Sequence, residues 1–261
     1  MSLSFIVDWN DTIPRSVATS DSSESPVPKV SIVIPAFNEA ARIQDSLHRI
    51  TEYLKHAPFK SEVLVVDDGS DDGTAAIVER LEFPGLRLLR NGTNRGKGYS
   101  VRNGFLAATG EYVLFTDADL SAPIEELDKL WAAALRDNAD VVVGSRALDM
   151  RSIERHQPPV REGGGRLFNV FVRLLLGLKI HDTQCGFKLF KRASAQTAFQ
   201  KQTIDGFGFD PEILYLMSRQ GLKIVEVSVR WSHAEGSKIR FLRDGARMLM
   251  DLLRIRWTHR T

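Results

Sequence analysis

Short β-branched runs that alternate with amphipathic helical stretches constrain this chain more than any other feature. Val30-Ser-Ile-Val-Ile-Pro35 is an apolar run stopped by proline, and Ala40 to Leu54 follows with apolar residues at helical spacing. Glu62-Val-Leu-Val-Val-Asp67 repeats the pattern, with a polar turn through Asp72-Gly73 and a helix from Thr74 to Leu81. Leu86 to Leu89, Tyr112 to Thr116 and Asp140 to Val143 read as further strands, with helices at Gly98 to Ala108 and Pro123 to Leu135. Such alternation needs crossover connections, and these give an α/β fold with a mostly parallel central sheet and helices on both faces. Past Gly144 the period loosens. A Gly-rich turn at Gly163 to Gly165, an apolar segment, a polar stretch Asp182 to Lys188, a helix Pro211 to Arg219, a strand Val225 to Trp231 and a basic closing helix are expected there.

In sheets of this class ligands bind beyond the carboxyl ends of the strands. The residues at those points are polar: Asn38 and Glu39, Asp67 and Asp68, Asn91 to Lys97, Asp117 and Asp119, and Ser145 and Arg146. Asp117-Ala-Asp119 follows a strand, and in extended backbone residues two apart point to the same side, so both carboxylates can face one ligand. Hard oxygen donors with little else nearby suit Mg²⁺ or Mn²⁺, which complete their shells with water and substrate phosphate. Taken alone, D-x-D is also an ordinary acidic turn. The second acidic cluster, Asp67-Asp-Gly-Ser-Asp-Asp-Gly-Thr74, stands at another strand end and makes a site of the two. Asp67 and Asp68 are expected to face the ligand, accepting from a pyrimidine N–H or ribose hydroxyls, while Asp71, Asp72 and Gly73 make the turn and the helix cap.

Asn94-Arg-Gly-Lys-Gly98 lacks the spacer and hydroxyl residue of a P-loop, which removes the main support for an NTPase. A lysine between glycines at a helix start can still reach a phosphate, aided by free backbone N–H groups. The Gly-rich fingerprint of dinucleotide dehydrogenases is absent as well.

At 261 residues the chain fits one large domain with appendages, and a net charge of +2 is too small to argue for nucleic acid. The distribution matters more. Residues 1–28 are acidic and rich in Ser, Thr and Pro and read as a mobile tail, residues 29–236 as the catalytic domain, and 237–261 as a basic amphipathic helix. From Arg230 to Thr261 eight basic residues face three acidic ones, an imbalance that favours an anionic surface. No secretory signal is read at the start, and the single Cys185 excludes an internal disulfide and fits a reducing, cytoplasmic location. No apolar stretch reaches the roughly 20 residues of a spanning helix. Leu167 to Leu178 and Phe241 to Trp257 combine apolar and basic residues, as core helices or as a peripheral contact with a membrane.

The ordered set Ile34-Pro-Ala-Phe-Asn-Glu39, Val65-Val-Asp-Asp-Gly-Ser70, Asn94-Arg-Gly-Lys-Gly98, Phe115-Thr-Asp-Ala-Asp119, Gly144-Ser-Arg146 and Asp182-Thr-Gln-Cys-Gly-Phe-Lys188 resembles family 2 inverting glycosyltransferases of the GT-A fold. The nearest branch resembles the dolichyl-phosphate β-glucosyltransferases, with dolichol-phosphate mannose synthases second. That resemblance implies a donor pocket lined by Pro35, Phe37, Glu39, Asp67 and Asp68 with Lys97 close by, and a metal on Asp117 and Asp119. It implies that Arg146, Arg161 and Lys238 are cations for the donor diphosphate or the acceptor phosphate. The reaction so implied moves a hexose, glucose from UDP-glucose, to a polyprenyl phosphate; mannose from GDP-mannose is the runner-up.

A phosphate acceptor is already ionised and needs no strong base. A sugar-hydroxyl acceptor needs one, and Asp182 and Asp210 are the candidates. From other classes, a nucleotidyltransferase would need a phosphate-gripping Gly and Arg loop that Ala36-Phe-Asn-Glu39 is not, and a non-catalytic membrane-binding module would not depend on Asp117 and Asp119.

Overall fold

The computed structural model describes residues 30–57, 59–155, 158–233 and 241–260. The expected tail at 1–28, Lys238, and the domain boundaries at 28/29 and 236/237 lie outside the described residues.

In chain order the first half runs β1 (Val30–Ala36), α1 (Ile43–Lys55), β2 (Ser61–Asp67), α2 (Thr74–Glu79), β3 (Leu86–Arg90), α3 (Lys97–Ala107), β4 (Tyr112–Thr116), α4 (Leu127–Asp137) and β5 (Val141–Ser145). The second half runs β6 (Ile153–Arg155), α5 (Pro159–Leu176), β7 (Phe187–Lys191), α6 (Arg192–Lys201), α7 (Phe209–Arg219), β8 (Ile224–Ser228), β9 (Trp231–Ser232) and α8 (Phe241–Thr258). Seven strands form one sheet in the order β3-β2-β1-β4-β7-β5-β8, and β6 pairs with β9 separately. Only β7 opposes its neighbours, running antiparallel to both β4 and β5.

The strands of the first half are apolar on both faces because helices cover both. Period-two alternation sends Ile32, Ile34, Val63, Val65 and Leu114 into the core shared with α1 and α4. Val33, Leu64, Val66, Val113 and Phe115 go into the opposite core, with α3, α5, α6, α7 and α8. There Phe105 of α3 stacks on Phe199 of α6 with centroids 3.8 Å apart, and each buried ring contributes about 2–3 kcal/mol. The C-terminal helix belongs to this second core: Met248, Leu252 and Ile255 are buried in it.

Four expectations need correction. Strand β7 and helix α6 were not expected where Asp182 to Lys188 reads as polar; β7 is a central strand that buries Lys188, whose charge interrupts the apolar pattern. Gly163 to Gly165 lie inside α5, not in a turn. Nothing approaches a Cβ at Gly163 or Gly165, so the glycines serve no close contact, and α5 is helical because its other face packs on α8 and the core. The strand expected at Val225 to Trp231 divides into β8 and β9, and these join different sheets. The C-terminal segment is a wall of the folded body as well as a basic helix.

Helix α3, which carries Lys97 at its start, crosses β1 and β2 on Gly104. A Cβ there would stand 2.4 Å from Val33 Cγ1 and 2.9 Å from Val66 Cγ2. We expect Gly104→Ala to cost about 1–3 kcal/mol in urea unfolding, because the β-branched neighbours cannot retreat; an unchanged midpoint would show that the helix rides freely on the sheet.

Candidate active site

Asp117 and Asp119 leave the end of β4 in a tight turn. Leu120 N donates to Asp117 O at 3.1 Å, Ser121 N donates to Asp119 Oδ1 at 2.9 Å, and Ser46 Oγ from α1 donates to Ala118 O at 2.6 Å. Leu120 has a φ of 45°, a left-handed conformation that is costly for a branched side chain and concentrates at functional sites. Both carboxylates therefore reach one cavity through a turn, not through the strand alternation expected from the sequence. Burial pushes the Asp119 carboxyl up, and the charge of Asp117 adds to this. Gly186, just before β7, lets Asp117 in: a Cβ there would fall 2.0 Å from Asp117 Oδ2.

The second acidic cluster organises the neighbouring loop. Asp68 accepts from Arg95 N at 2.9 Å, Gly96 N at 2.8 Å and Asn91 Nδ2 at 2.7 Å. The backbone N–H groups of Arg95 and Gly96, just ahead of the helix, are thus engaged by a buried carboxylate. Gly96 has a φ of 107° and sits against Asp205 O, where a Cβ would be 2.4 Å away, so glycine is required on two counts. This loop delivers Lys97, whose Nζ lies 2.6 Å from Asp117 Oδ1. Burial pulls the Lys97 ammonium down, but Asp117 and Asp210 outweigh it and hold the group above its usual range. Asp67 is buried with Ser70 N at 3.4 Å from each of its carboxylate oxygens, and it does not line the cavity. The cap residue of α2 is Gly73, not an aspartate, and Asp72 just before it accepts from Thr74 N at 3.0 Å.

Two more ion pairs stand behind this edge. Arg146 grips Asp182 with Nε and NH2 at 2.7 and 2.8 Å, and its backbone N donates to the same carboxylate at 3.0 Å. The guanidinium also lies 5.3 Å from the centroid of Trp231. Burial alone would raise the Asp182 carboxyl, yet Arg146 outweighs it and holds the group below the usual carboxylate range. With both oxygens taken by Arg146, Asp182 is a poor proton acceptor. Lys188, missed as a site residue, is fully buried and donates to Asp210 at 2.5 Å and to Cys185 O at 2.6 Å. Both Lys188 and Lys97 lie over the ring of Phe115, at 5.7 and 5.2 Å. Arg161 stands close enough to Arg146 that burial and then the neighbouring charge lower its proton affinity.

A cavity of about 530 Å³ opens over these groups. Pro35, Phe37, Glu39, Asp68, Lys97, Asp117 and Asp119 line it; Arg146, Asp182 and Asp210 do not. Its far wall was not foreseen: Gly206 and Phe207 before α7, and Asp244, Arg247, Met248 and Asp251 of α8. The last four follow i, i+3, i+4, i+7 spacing, the one sequence signal that marks them as a helix face. Among the described residues no three carboxylate, histidine or cysteine side chains form a ready-made metal cage. The all-oxygen pair Asp117 and Asp119, whose mutual repulsion Lys97 relieves at 2.6 Å, nevertheless fits a hard divalent ion that takes its other ligands from water and phosphate.

The chain is similar to several known proteins. A dolichyl-phosphate beta-glucosyltransferase of Trichomonas vaginalis is 35% identical over 255 residues, which span 89% of this chain and 74% of the relative. The enzymes of that name from Saccharomyces cerevisiae and Homo sapiens are 34% and 33% identical and span 88% and 91% of this chain, with 75% and 78% of their own lengths covered. Among solved structures, mannosyl-3-phosphoglycerate synthase from Rubrobacter xylanophilus superposes with a TM-score of 0.66 at 22% identity, covering 88% of this chain and 73% of that one. Glucosyl-3-phosphoglycerate synthase from Mycobacterium tuberculosis, in complex with Mn²⁺, UDP-glucose and phosphoglyceric acid, also gives 0.66, at 20% identity, covering 88% and 79%. Residues 31–199 match glycosyl transferase family 2. The chain belongs to that family and is a glycosyltransferase with a GT-A-like fold.

Proposed function

We propose that this enzyme transfers glucose from UDP-glucose, with inversion, to a dolichyl-type polyprenyl phosphate at a divalent cation, Mg²⁺ or Mn²⁺, held by Asp117 and Asp119. The observation that carries the reading is that pair of carboxylates on the floor of the cavity, beside Lys97, in a chain one-third identical to dolichyl-phosphate beta-glucosyltransferases along most of its length. A bound cation would offset the negative charge that develops on the departing nucleotide diphosphate. Lys97 adds a fixed positive charge at the same point. Pro35, Phe37 and Glu39 form the nucleoside end, with Asp68 holding the loop that closes it, and Asp67 supports the turn behind. Arg146, kept in place by Asp182, and Arg161 supply positive potential from behind the floor.

The bond from the phosphate oxygen to the anomeric carbon forms as the bond to the diphosphate oxygen breaks, and the nucleotide leaves with that electron pair. The two carboxylates weighed as bases, Asp182 and Asp210, support this choice of acceptor. Asp182 is committed to Arg146, and Asp210 is buried against Lys188 outside the cavity, so neither is placed to take a hydroxyl proton. An acceptor whose oxygen is already ionised needs no such base. We expect the native protein with Mn²⁺ to form lipid-linked glucose from UDP-glucose and a short polyprenyl phosphate, and Asp119→Asn to lose at least 10²-fold in kcat, an order of magnitude taken from removal of single transition-state contacts. Product from GDP-mannose alone would replace glucose by mannose. Product only with a sugar-hydroxyl acceptor would overturn the lipid reading.

A lipid acceptor implies a membrane surface. No helix among the described residues is long and apolar enough to cross a bilayer. Helices α5 and α8 pack on each other and expose Leu167, Leu174, Met250, Leu253 and Trp257, each at least 57% accessible, beside Arg166, Arg173 and Arg254. An apolar face rimmed by arginine suits a peripheral contact with anionic lipid, here at the cytoplasmic face. Co-sedimentation with vesicles containing anionic lipid should fall several-fold in Leu174→Ser/Trp257→Ser; equal binding by native and variant protein would move the contact elsewhere.

A further inference from the structure

Helix α8 closes the cavity on the side opposite Asp117 and Asp119, and it is fixed there from several directions. Met248, Leu252 and Ile255 are buried in the core. Asp251 presses on Gly208, where a Cβ would lie 2.6 Å from its Oδ2. At the far end His259 Nε2 meets the fully buried Glu212 at 2.8 Å, and Arg256 donates to Tyr215 OH at 3.2 Å. A residue on the inner face of α8 is therefore held in register with the floor of the site.

Arg247 is on that inner face, between Asp244 and Asp251. The other cations of the cavity wall are already engaged: Lys97 by Asp117 at 2.6 Å and Arg42 by Glu39 at 2.9 Å. Behind the wall, Arg146 is gripped by Asp182 and Lys188 by Asp210. Arg247 closes no ion pair within 4.0 Å among the described residues, although its charge reaches Asp251 on the next turn. The charges of the proposed reaction make such a cation necessary. A divalent ion would be neutralised by Asp117 and Asp119, and Lys97 and Arg42 each carry a carboxylate partner, so a diphosphate and a phosphate monoester would together bring several uncompensated negative charges into one cavity. Guanidinium, with its planar fork of donors, suits phosphate oxygens better than any other side chain.

We infer that Arg247 is a phosphate-binding residue, lowered onto the reacting phosphates by the C-terminal helix. The inference rests on the donor and acceptor chemistry proposed above, and the shared ligand is a phosphate oxyanion, of the nucleotide diphosphate or of the lipid monophosphate. Since Arg247 is exposed, its replacement does not threaten the fold.

The test uses the full chain and two titrations by calorimetry: UDP with Mn²⁺, then farnesyl phosphate into protein saturated with UDP and Mn²⁺. Arg247→Ala should weaken one of the two by about 10- to 100-fold, the scale of a charge-assisted contact. Loss in the first assigns Arg247 to the donor diphosphate; loss in the second assigns it to the acceptor phosphate. Arg247→Lys should recover part of the affinity. Arg219→Ala removes an equal charge from an exposed position at the end of α7, away from the cavity, and should leave both affinities unchanged. Unchanged binding in Arg247→Ala, or equal losses in Arg219→Ala, overturns the inference, as does native protein that binds neither probe. Failure of the native protein to make lipid-linked glucose while both probes bind would count against the transfer reading, and the two affinities would still decide the role of Arg247.

Discussion

The ion pair between Lys97 and Asp117 is the contact on which the rest of the site depends. It ties the loop after β3 to the end of β4, two strands that are not neighbours in the sheet. The loop can reach only because Asp68, at the end of β2, takes up the N–H groups of Arg95 and Gly96, and because glycine at 96 and 98 lets the segment 204–206 lie directly on the backbone. Asp117 can be there only because residue 186 has no side chain. The position of one lysine is thus written into three glycines and an aspartate from three separate stretches of the chain.

Charge is handled at this edge by pairing. Lys188 with Asp210 is buried and Arg146 with Asp182 is half-buried, and burying an ion pair is seldom a net gain in stability, whereas removing one partner is costly. What the pairs provide is position. Fixed cations and carboxylates need little reorganisation when charge shifts between a sugar carbon and a diphosphate, the condition for electrostatic catalysis. The same pairing occupies Asp182 and Asp210, the two carboxylates that the sequence offers as bases, which accords with an acceptor that arrives ionised. The exposed apolar side and the cavity-facing side of α8 belong to one helix, so the surface that would meet the lipid and the wall that would meet its phosphate are rigidly connected.

Much of the first half was legible in the sequence because each strand there is an uninterrupted β-branched run followed by a helix with one apolar face. Strand β7 was not, because its second residue is Lys188, a charge that becomes tolerable only once Asp210, 22 positions later, is folded beside it. Asp117 and Asp119 were legible as a pair, but the reason given was strand alternation, and the structure uses a turn with Leu120 in a left-handed conformation. Asp68 was identified by residue type as a ligand-facing acceptor; its hydrogen bonds to Arg95 and Gly96 depend on a loop 27 and 28 residues away and leave no trace in local pattern. The far wall was missed for a similar reason. The 3.6-residue periodicity of α8 is plain, but which stripe faces the site is fixed by tertiary contacts such as His259 with Glu212.

The central claim, that Asp117 and Asp119 hold a divalent ion together with the nucleotide, is tested most directly by electron paramagnetic resonance of Mn²⁺ added to the full chain with and without UDP. The account predicts weak binding of Mn²⁺ alone, because two carboxylates are too few ligands, and tight binding once UDP supplies phosphate oxygens, lost in Asp119→Asn. Mn²⁺ bound equally well without UDP, or retained in the variant, would contradict it and place the ion elsewhere.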